Sequence, residues 1–567
     1  MSPRARLALA PALLLALALG SLPLAGQGAP PPEMAAAQTQ LAAGDAKAAV
    51  ATLEALLAKQ PQPPPAARLL LGDALRQAGD PERALAAYLA VPPQARMAHA
   101  QALFRAATLE AERGRREQAL GLVERLAAGG AFDMDLLRTT PELASLQNDP
   151  RFAAAMFSPD DFANPFVEKV RVIHEWVGEA KGDQFSWIAR GIPDVDGDGA
   201  REVITSAPTH GAGGQASGPG RVYLYSGRTG KLLWSVTGQG EEGLGTGLEG
   251  AGDVDRDGAA DVIAGAPGGE RAYVYSGRDG RELRVLAPPQ TEPGFGGAAS
   301  GVGDLNGDGH ADVVVGAPGA PGAAGAAATK GRAHVFSGKD GALLLTLEGE
   351  RDGDGFGSIV SGAAGARGAF VVVGAPSAGE RSTGRVYVYR GLSRSPHFVI
   401  EADETGAALG AMFVSVVGDV DGDGTADVSA SDYTNSAKGP ATGRVYVHSG
   451  RDGKRLLTLT GEAAGDGFGI GAPQVGDVDR DGHDDLILGA WQHASGAPSG
   501  GKIYVFSGKD GRVLRSFTGR VPGETLGFDA TGVGDVDGDG ATDFLVTSSW
   551  SNVRGFRSGR MYVISGR

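Results

Sequence analysis

One short acidic loop, repeated six times, limits what this chain can fold into. The copies read DVDGDGARE from Asp194, DVDRDGAAD from Asp253, DLNGDGHAD from Asp304, DVDGDGTAD from Asp419, DVDRDGHDD from Asp477 and DVDGDGATD from Asp535. Each places side-chain oxygens at positions 1, 3, 5 and 9 and a glycine at position 6, a cage suited to a hard cation. The first aspartates stand 59, 51, 115, 58 and 58 residues apart. The gap of 115 is two periods, and inside it GAFVVVGAP ending at Pro376 matches HADVVVGAP ending at Pro318. The chain therefore holds seven units, the fourth without its acidic loop. Units of this length cannot bury an apolar face alone, so they must stack or close on one another.

The unit spanning 468–519 reads as four short strands: the stretch from Phe468-Gly469 to the acidic loop, then 485–490, 502–508 and 512–519. Gly or Asp bounds each, and SGKDG between the last two is a tight turn. The 92 glycines of the 567 residues fall at such turns and lack collagen's period of three. Seven four-stranded sheets in tandem predict an all-β seven-bladed propeller. An aromatic recurs on the third strand at Tyr223, Tyr273, Tyr387, Tyr446, Tyr504 and Tyr562, with His334 the exception, and is expected between blades as core. The last unit stops after its third strand, whereas 169–187 aligns with a fourth strand and the start of the next blade. The expectation is a propeller over 167–567, closed by a strand at about 170–177.

Alternate side chains of such a loop point inward, and position 7 offers a backbone carbonyl. The expected ligands are Asp194, Asp196, Asp198, Ala200 and Glu202; Asp253, Asp255, Asp257, Ala259 and Asp261; and Asp304, Asn306, Asp308, His310 and Asp312. The later loops supply Asp419, Asp421, Asp423, Thr425 and Asp427; Asp477, Asp479, Asp481, His483 and Asp485; and Asp535, Asp537, Asp539, Ala541 and Asp543. Position 9 is expected to bind bidentately, and at His310 and His483 only the carbonyl is used. The side-chain ligands include no His or Cys, which disfavours zinc, and so many carboxylates in a flexible loop disfavour magnesium. A helix–loop–helix calcium hand needs Glu at position 12, where this chain has Thr205, Ala264, Val315, Ala430, Leu488 or Val546. The expected cofactor is Ca²⁺, about six per chain. None is expected in the fourth blade, where positions 1, 3, 5 and 9 fall on Gly362, Ala364, Ala366 and Phe370.

The formal net charge is −15, and six doubly charged ions would bring it to −3. The acidity belongs mostly to the loops, which argues against nucleic acid or an anionic membrane as partner. Cysteine is absent, excluding disulfides, a thiolate nucleophile and Cys-based metal sites. Arg4 and Arg6 before the apolar run 7–20, followed by SLPLAG, read as an export signal over 1–26 with a linker over 27–34. The expected location is secreted or periplasmic, in the cell envelope, with no membrane span in the mature chain if the signal is cleaved; the alternative is an uncleaved anchor. Residues 35–157 are rich in helix formers. Gly44, Gly79 and Gly114 stand 35 apart, as do Ala49, Ala84 and Ala119, with Leu53, Tyr88 and Val123 four residues further on the same face. A second linker is expected over 158–166.

The helical segment resembles the tetratricopeptide repeat family, best in LLLGDALRQAGDPERALAAYLAVPP, where Leu71, Gly72, Leu75, Ala84 and Tyr88 take the pattern positions. Val123 departs from it where Tyr88 stands. The resemblance implies an all-α domain with a peptide-binding groove; the alternative is a short stack that only packs on its neighbour. The β region resembles the FG-GAP repeat family, the propeller of integrin alpha subunits and of many exported bacterial proteins. FG stands at Phe295-Gly296, Phe356-Gly357 and Phe468-Gly469, and GAP ends at Pro267, Pro318 and Pro376. Leu replaces Phe at Leu244, Leu409 and Leu526, and SDY, GAW and TSS replace GAP later. The resemblance implies calcium-stabilised blades and a ligand-binding or scaffolding role.

No catalytic residue is assigned. The carboxylates belong to the loops, His210 has no partner at ligand spacing, and G-x-S-x-G, H-E-x-x-H and P-loop motifs are absent. Two functions stay open. One is a non-catalytic interaction, adhesion or scaffold module with an unidentified protein or glycan ligand. The other is a propeller-based hydrolase acting on an extracellular polysaccharide or lipid through inter-blade loops. The long loops 207–220, 317–331 and 490–501 are poor in catalytic groups.

Overall fold

The computed structural model describes residues 31–60, 63–130, 132–213, 217–320, 327–363 and 368–567. The expected signal over 1–26 lies outside them, as do Ala364 and Ala366.

Three helical hairpins come first: Pro32–Ala42 with Ala46–Lys59, Pro65–Gln77 with Pro81–Leu89, and Arg96–Glu112 with Arg116–Gly129. Proline opens three of these helices, where its missing N–H costs nothing. Asp45 and Asp80 cap the helices that follow them, accepting Ala48 N–H at 3.1 Å and Arg83 N–H at 3.2 Å. Gly44, Gly79 and Gly114 end the first helix of each pair at φ +82°, +81° and +71°. Ala49, Ala84 and Ala119 are fully buried, with Leu53, Tyr88 and Val123 beside them. Gly72 permits the closest approach: a Cβ there would lie 2.3 Å from the Tyr88 ring. The first helix begins at Pro32 and buries Met34, so part of the expected 27–34 linker is already helix.

Seven antiparallel sheets follow, each with its strands in sequence order from the inside outward, except at the seam. There the seventh sheet runs Ala530–Gly534, Asp543–Ser548, Arg560–Ile564 and, outermost, Val172–Val177. Val177 pairs with Arg560 and Glu175 with Tyr562. The same strand reaches the first blade, where Trp176 Nε1 donates to Gly230 O at 2.8 Å and His174 Nε2 lies 2.8 Å from Gly227 O. The sixth blade's inner strand is split into Phe468–Ile470 and Gln474–Gly476, since Pro473 between them has no N–H for the ladder.

The second strand of every blade is buried end to end, being covered on both faces by neighbouring sheets. In the second, third, fourth and sixth blades this strand carries a glycine that packs against the next blade. A Cβ on Gly316 would lie 2.2 Å from Gly357 O, and one on Gly489 would lie 1.9 Å from Gly527 O. The GAP glycine of one blade thus abuts the FG-position glycine of the next.

The 158–166 stretch is not a free linker. Phe162 and Phe166 are buried, Arg560 donates to Phe162 O at 3.0 Å, and Arg520 N donates to Pro165 O at 2.8 Å. The helical domain also docks directly. Arg96 donates to Gln492 O at 2.6 Å and to Ser499 Oγ, Asn552 Nδ2 donates to Gly130 O at 3.0 Å, and Lys181 pairs with Asp133. Burial lowers the Arg96 pKa to about 10. Gln492, Ser499, Asn552 and Lys181 lie in second-to-third or fourth-to-first connections, at one end of the ring.

Candidate metal centres

The six acidic loops join first to second strands, so they lie at the opposite end of the ring. Each loop holds itself open by backbone hydrogen bonding. In the first, Asp194 accepts Gly197 N–H at 2.7 Å and Gly199 N–H at 2.8 Å, Asp196 accepts Asp198 N–H at 3.0 Å, and Asp198 accepts Ala200 N–H at 2.9 Å. The position-6 glycine is left-handed, as at Gly199, Gly309 and Gly482. Ligand atoms come within 4.8 Å of one another in Asp194, Asp196, Asp198 and Glu202; Asp253, Asp255 and Asp261; Asp419, Asp421 and Asp427; Asp477, Asp479 and Asp485; and Asp535, Asp537 and Asp539. In the third loop Asn306 stands between the carboxylates and donates to Asp308 Oδ2 at 3.1 Å.

Position 9 is the buried floor. Glu202, Asp261, Asp312, Asp427 and Asp543 are fully buried and Asp485 is nearly so. Each accepts the N–H of position 2, from Val195, Val254, Leu305, Val420, Val478 or Val536, at 2.8–3.0 Å. In five loops the second oxygen accepts a glycine N–H beyond the third strand, from Gly277, Gly338, Gly450, Gly508 or Gly566. That oxygen is already engaged, which bears on the bidentate role expected there. Burial, reinforced by the neighbouring carboxylates, pushes Glu202 and Asp427 up to about 7 and Asp261 to about 6.

The residues present fit a hard cation. Glu202 Oε1 is buried with no hydrogen-bond partner, beside three aspartates, and the side-chain donors are oxygen throughout. The outer oxygens meet cations from the turns after the third strands: Arg281 with Asp255 at 2.8 Å, Arg278 with Asp257 at 2.9 Å, and Arg512 with Asp479 at 2.7 Å. The fourth blade differs. Gly362 lies within the inner strand Ile359–Ala363, and Phe370 opens the second strand, its buried ring where other blades bury a carboxylate.

At the far end, His493 Nε2 lies 2.9 Å from Glu462 and its Nδ1 lies 3.1 Å from Ser495 Oγ. The same loop position holds His210, whose Nδ1 lies 3.3 Å from Asp183, and Ser551, which donates to Glu524 at 3.1 Å. His210 thus has a partner that sequence spacing did not reveal. The recurrence in three blades identifies a brace between the second-to-third-strand loop and the incoming connection.

Family-level comparison matches residues 253–315 to the FG-GAP-like repeat, 296–336 to the FG-GAP repeat and 40–106 to the tetratricopeptide repeat. Integrin alpha-4 of Xenopus laevis is 28% identical over 190 residues, 31% of this chain and 18% of that protein. Integrin alpha-PS5 of Drosophila melanogaster is 32% identical over 169 residues, 27% of this chain and 16% of that protein. The phosphatidylinositol-glycan-specific phospholipase D of Rattus norvegicus is 32% identical over 180 residues, 28% of this chain and 21% of that protein. The match spans less than a quarter of the length of these relatives. Among the described residues no helix is long and apolar enough to cross a membrane. With repeat matches in both regions and seven blades closed in a ring, the chain is a seven-bladed β-propeller that carries FG-GAP repeats similar to those of integrin alpha chains, preceded by a short tetratricopeptide-like helical domain.

Proposed function

We propose that this is an exported calcium-binding repeat protein acting as a non-catalytic interaction, adhesion or scaffold module on a protein or glycan ligand. The observation that carries the calcium reading is the buried position-9 carboxylate, present beneath every acidic loop and replaced by Phe370 in the one blade that lacks the loop. A buried carboxylate beside other carboxylates is costly unless a cation or proton offsets its charge, and at Glu202 one oxygen also has no hydrogen-bond partner. The likeness to integrin alpha chains supports the interaction role, and the signal-like start supports export to the envelope or beyond.

Elemental analysis of purified protein dialysed against Ca²⁺ tests the count. About six ions per chain are expected, and Asp427→Ala should remove one. Zero or one ion in the parent would sink the reading. The hydrolase alternative, on polysaccharide or lipid, has the loop bearing His493 and Ser495 as its best support. Esterase or glycosidase turnover abolished by Ser495→Ala would replace the proposal.

A further inference from the structure

Each acidic loop takes the number of its blade, so the six are loops one, two, three, five, six and seven, and loops of neighbouring blades touch through one repeated device. In the third loop His310 stands at position 7, and its Nδ1 lies 2.7 Å from the carbonyl of Val254, position 2 of the second loop. The next residue, Ala311, donates its N–H to Asp253 O, position 1 of that loop, at 3.1 Å. The sixth loop does the same to the fifth: His483 Nδ1 is 2.8 Å from Val420 O, and Asp484 N donates to Asp419 O at 2.9 Å. Asp484 also accepts Asp419 N–H at 2.8 Å. From the sixth loop to the seventh, Arg480 at position 4 donates to Gly540 O at 2.9 Å. Arg480 does so from φ +63°, where Gly197, Gly307, Gly422 and Gly538 stand in other loops. The fourth blade, without an acidic loop, separates the two groups.

We propose that neighbouring loops take up their cations as coupled groups, loops two and three in one and loops five, six and seven in the other, linked by His310, His483 and Arg480. This rests on the reading of the loops as cation sites. His310 offers its backbone carbonyl to one cage and its ring to the backbone of the next. A carbonyl only accepts, so Nδ1 carries hydrogen and the ring is the donor. Whichever loop is ordered first fixes that residue, and the other then loses less freedom on ordering. Linkage makes the effect reciprocal.

The test titrates Ca²⁺ alone into calcium-stripped full-length protein, reading hydrogen exchange separately at 194–202, 253–261, 304–312 and 419–427. His310→Ala removes no ligand oxygen. It should raise the Ca²⁺ concentration that protects 253–261 by about five-fold or more, leaving 194–202 and 419–427 unmoved. His310→Gln can donate to the same carbonyl and should restore the parental value. His483→Ala should act likewise on 419–427, a second reading of the device in a different part of the ring. Protection of both loops at parental Ca²⁺ in the two Ala variants overturns the coupling. A parent that gains protection at no acidic loop overturns the cation reading itself.

Discussion

At the scale of single residues, the ring axis depends on one carboxylate. Asp529 of the seventh blade is fully buried. It accepts Ala530 N–H at 2.9 Å and Ala472 N–H of the sixth blade at 3.2 Å, and pairs with Arg190 of the first. Arg190 in turn pairs with Glu249 of the second blade at 2.8 Å. Four blades meet in this clasp, next to the seam. Asp529→Ala would leave a largely buried guanidinium held only by Glu249 and the Ala189 carbonyl, and would strand the N–H groups of Ala189, Ala472 and Ala530. Breaking a buried pair from one side typically costs about 3–5 kcal/mol. Urea unfolding should register that loss; a change under about 1 kcal/mol would mean the clasp is solvated and weak.

At the scale of elements, the last and first strands of the propeller meet in the seventh blade. Val172–Val177 covers the Arg560–Ile564 edge, and Trp176 and His174 carry that blade onto the first. Removing residues 167–178 exposes the edge of Arg560–Ile564, a strand buried throughout and apolar after its first residue, which is an aggregation template. Such a protein should precipitate or lose cooperative unfolding, and unchanged solubility and midpoint would contradict the seam. This element was legible because it repeats: the period, the acidic loops, the GAP glycines and the hairpin glycines all recur at fixed spacing. What recurs across blades only as a class of residue was missed. The third strand opens with Arg221, Arg271, Arg332, Arg385, Arg444, Lys502 and Arg560, and six of these pair with a carboxylate of the preceding connection. A basic residue two places before each aromatic was visible in the sequence, but its partner stands about 40 residues away on another element. The ring contacts of His310 and His483 were missed for the same reason, since side chains meeting across blades leave no local pattern.

At the scale of the whole molecule, the candidate cation sites and the helical domain occupy opposite ends of the propeller. The helical domain is seated by fit as well as by charge. Gly130 and Gly523 meet backbone to backbone: a Cβ on Gly523 would lie 2.6 Å from Gly130, and one on Gly130 would lie 2.3 Å from Pro522. Around them stand Arg96 with Gln492 and Ser499, Asn552 with Gly130, and Lys181 with Asp133. Contacts this close permit no sliding, so the two domains should unfold as one cooperative unit. Gly523→Val in the full chain forces a side chain against backbone and should undock the helices, turning one calorimetric transition into two. Gly523 has φ +73°, so the substitution also carries local strain, of about 1–2 kcal/mol. Gly391→Val supplies the control, because Gly391 has φ +53° but nothing within 4 Å of its would-be Cβ. That variant should lower the midpoint and keep a single transition. If Gly523→Val also kept a single transition, only lowered, the strain alone would account for it and the domains would not be coupled through this contact.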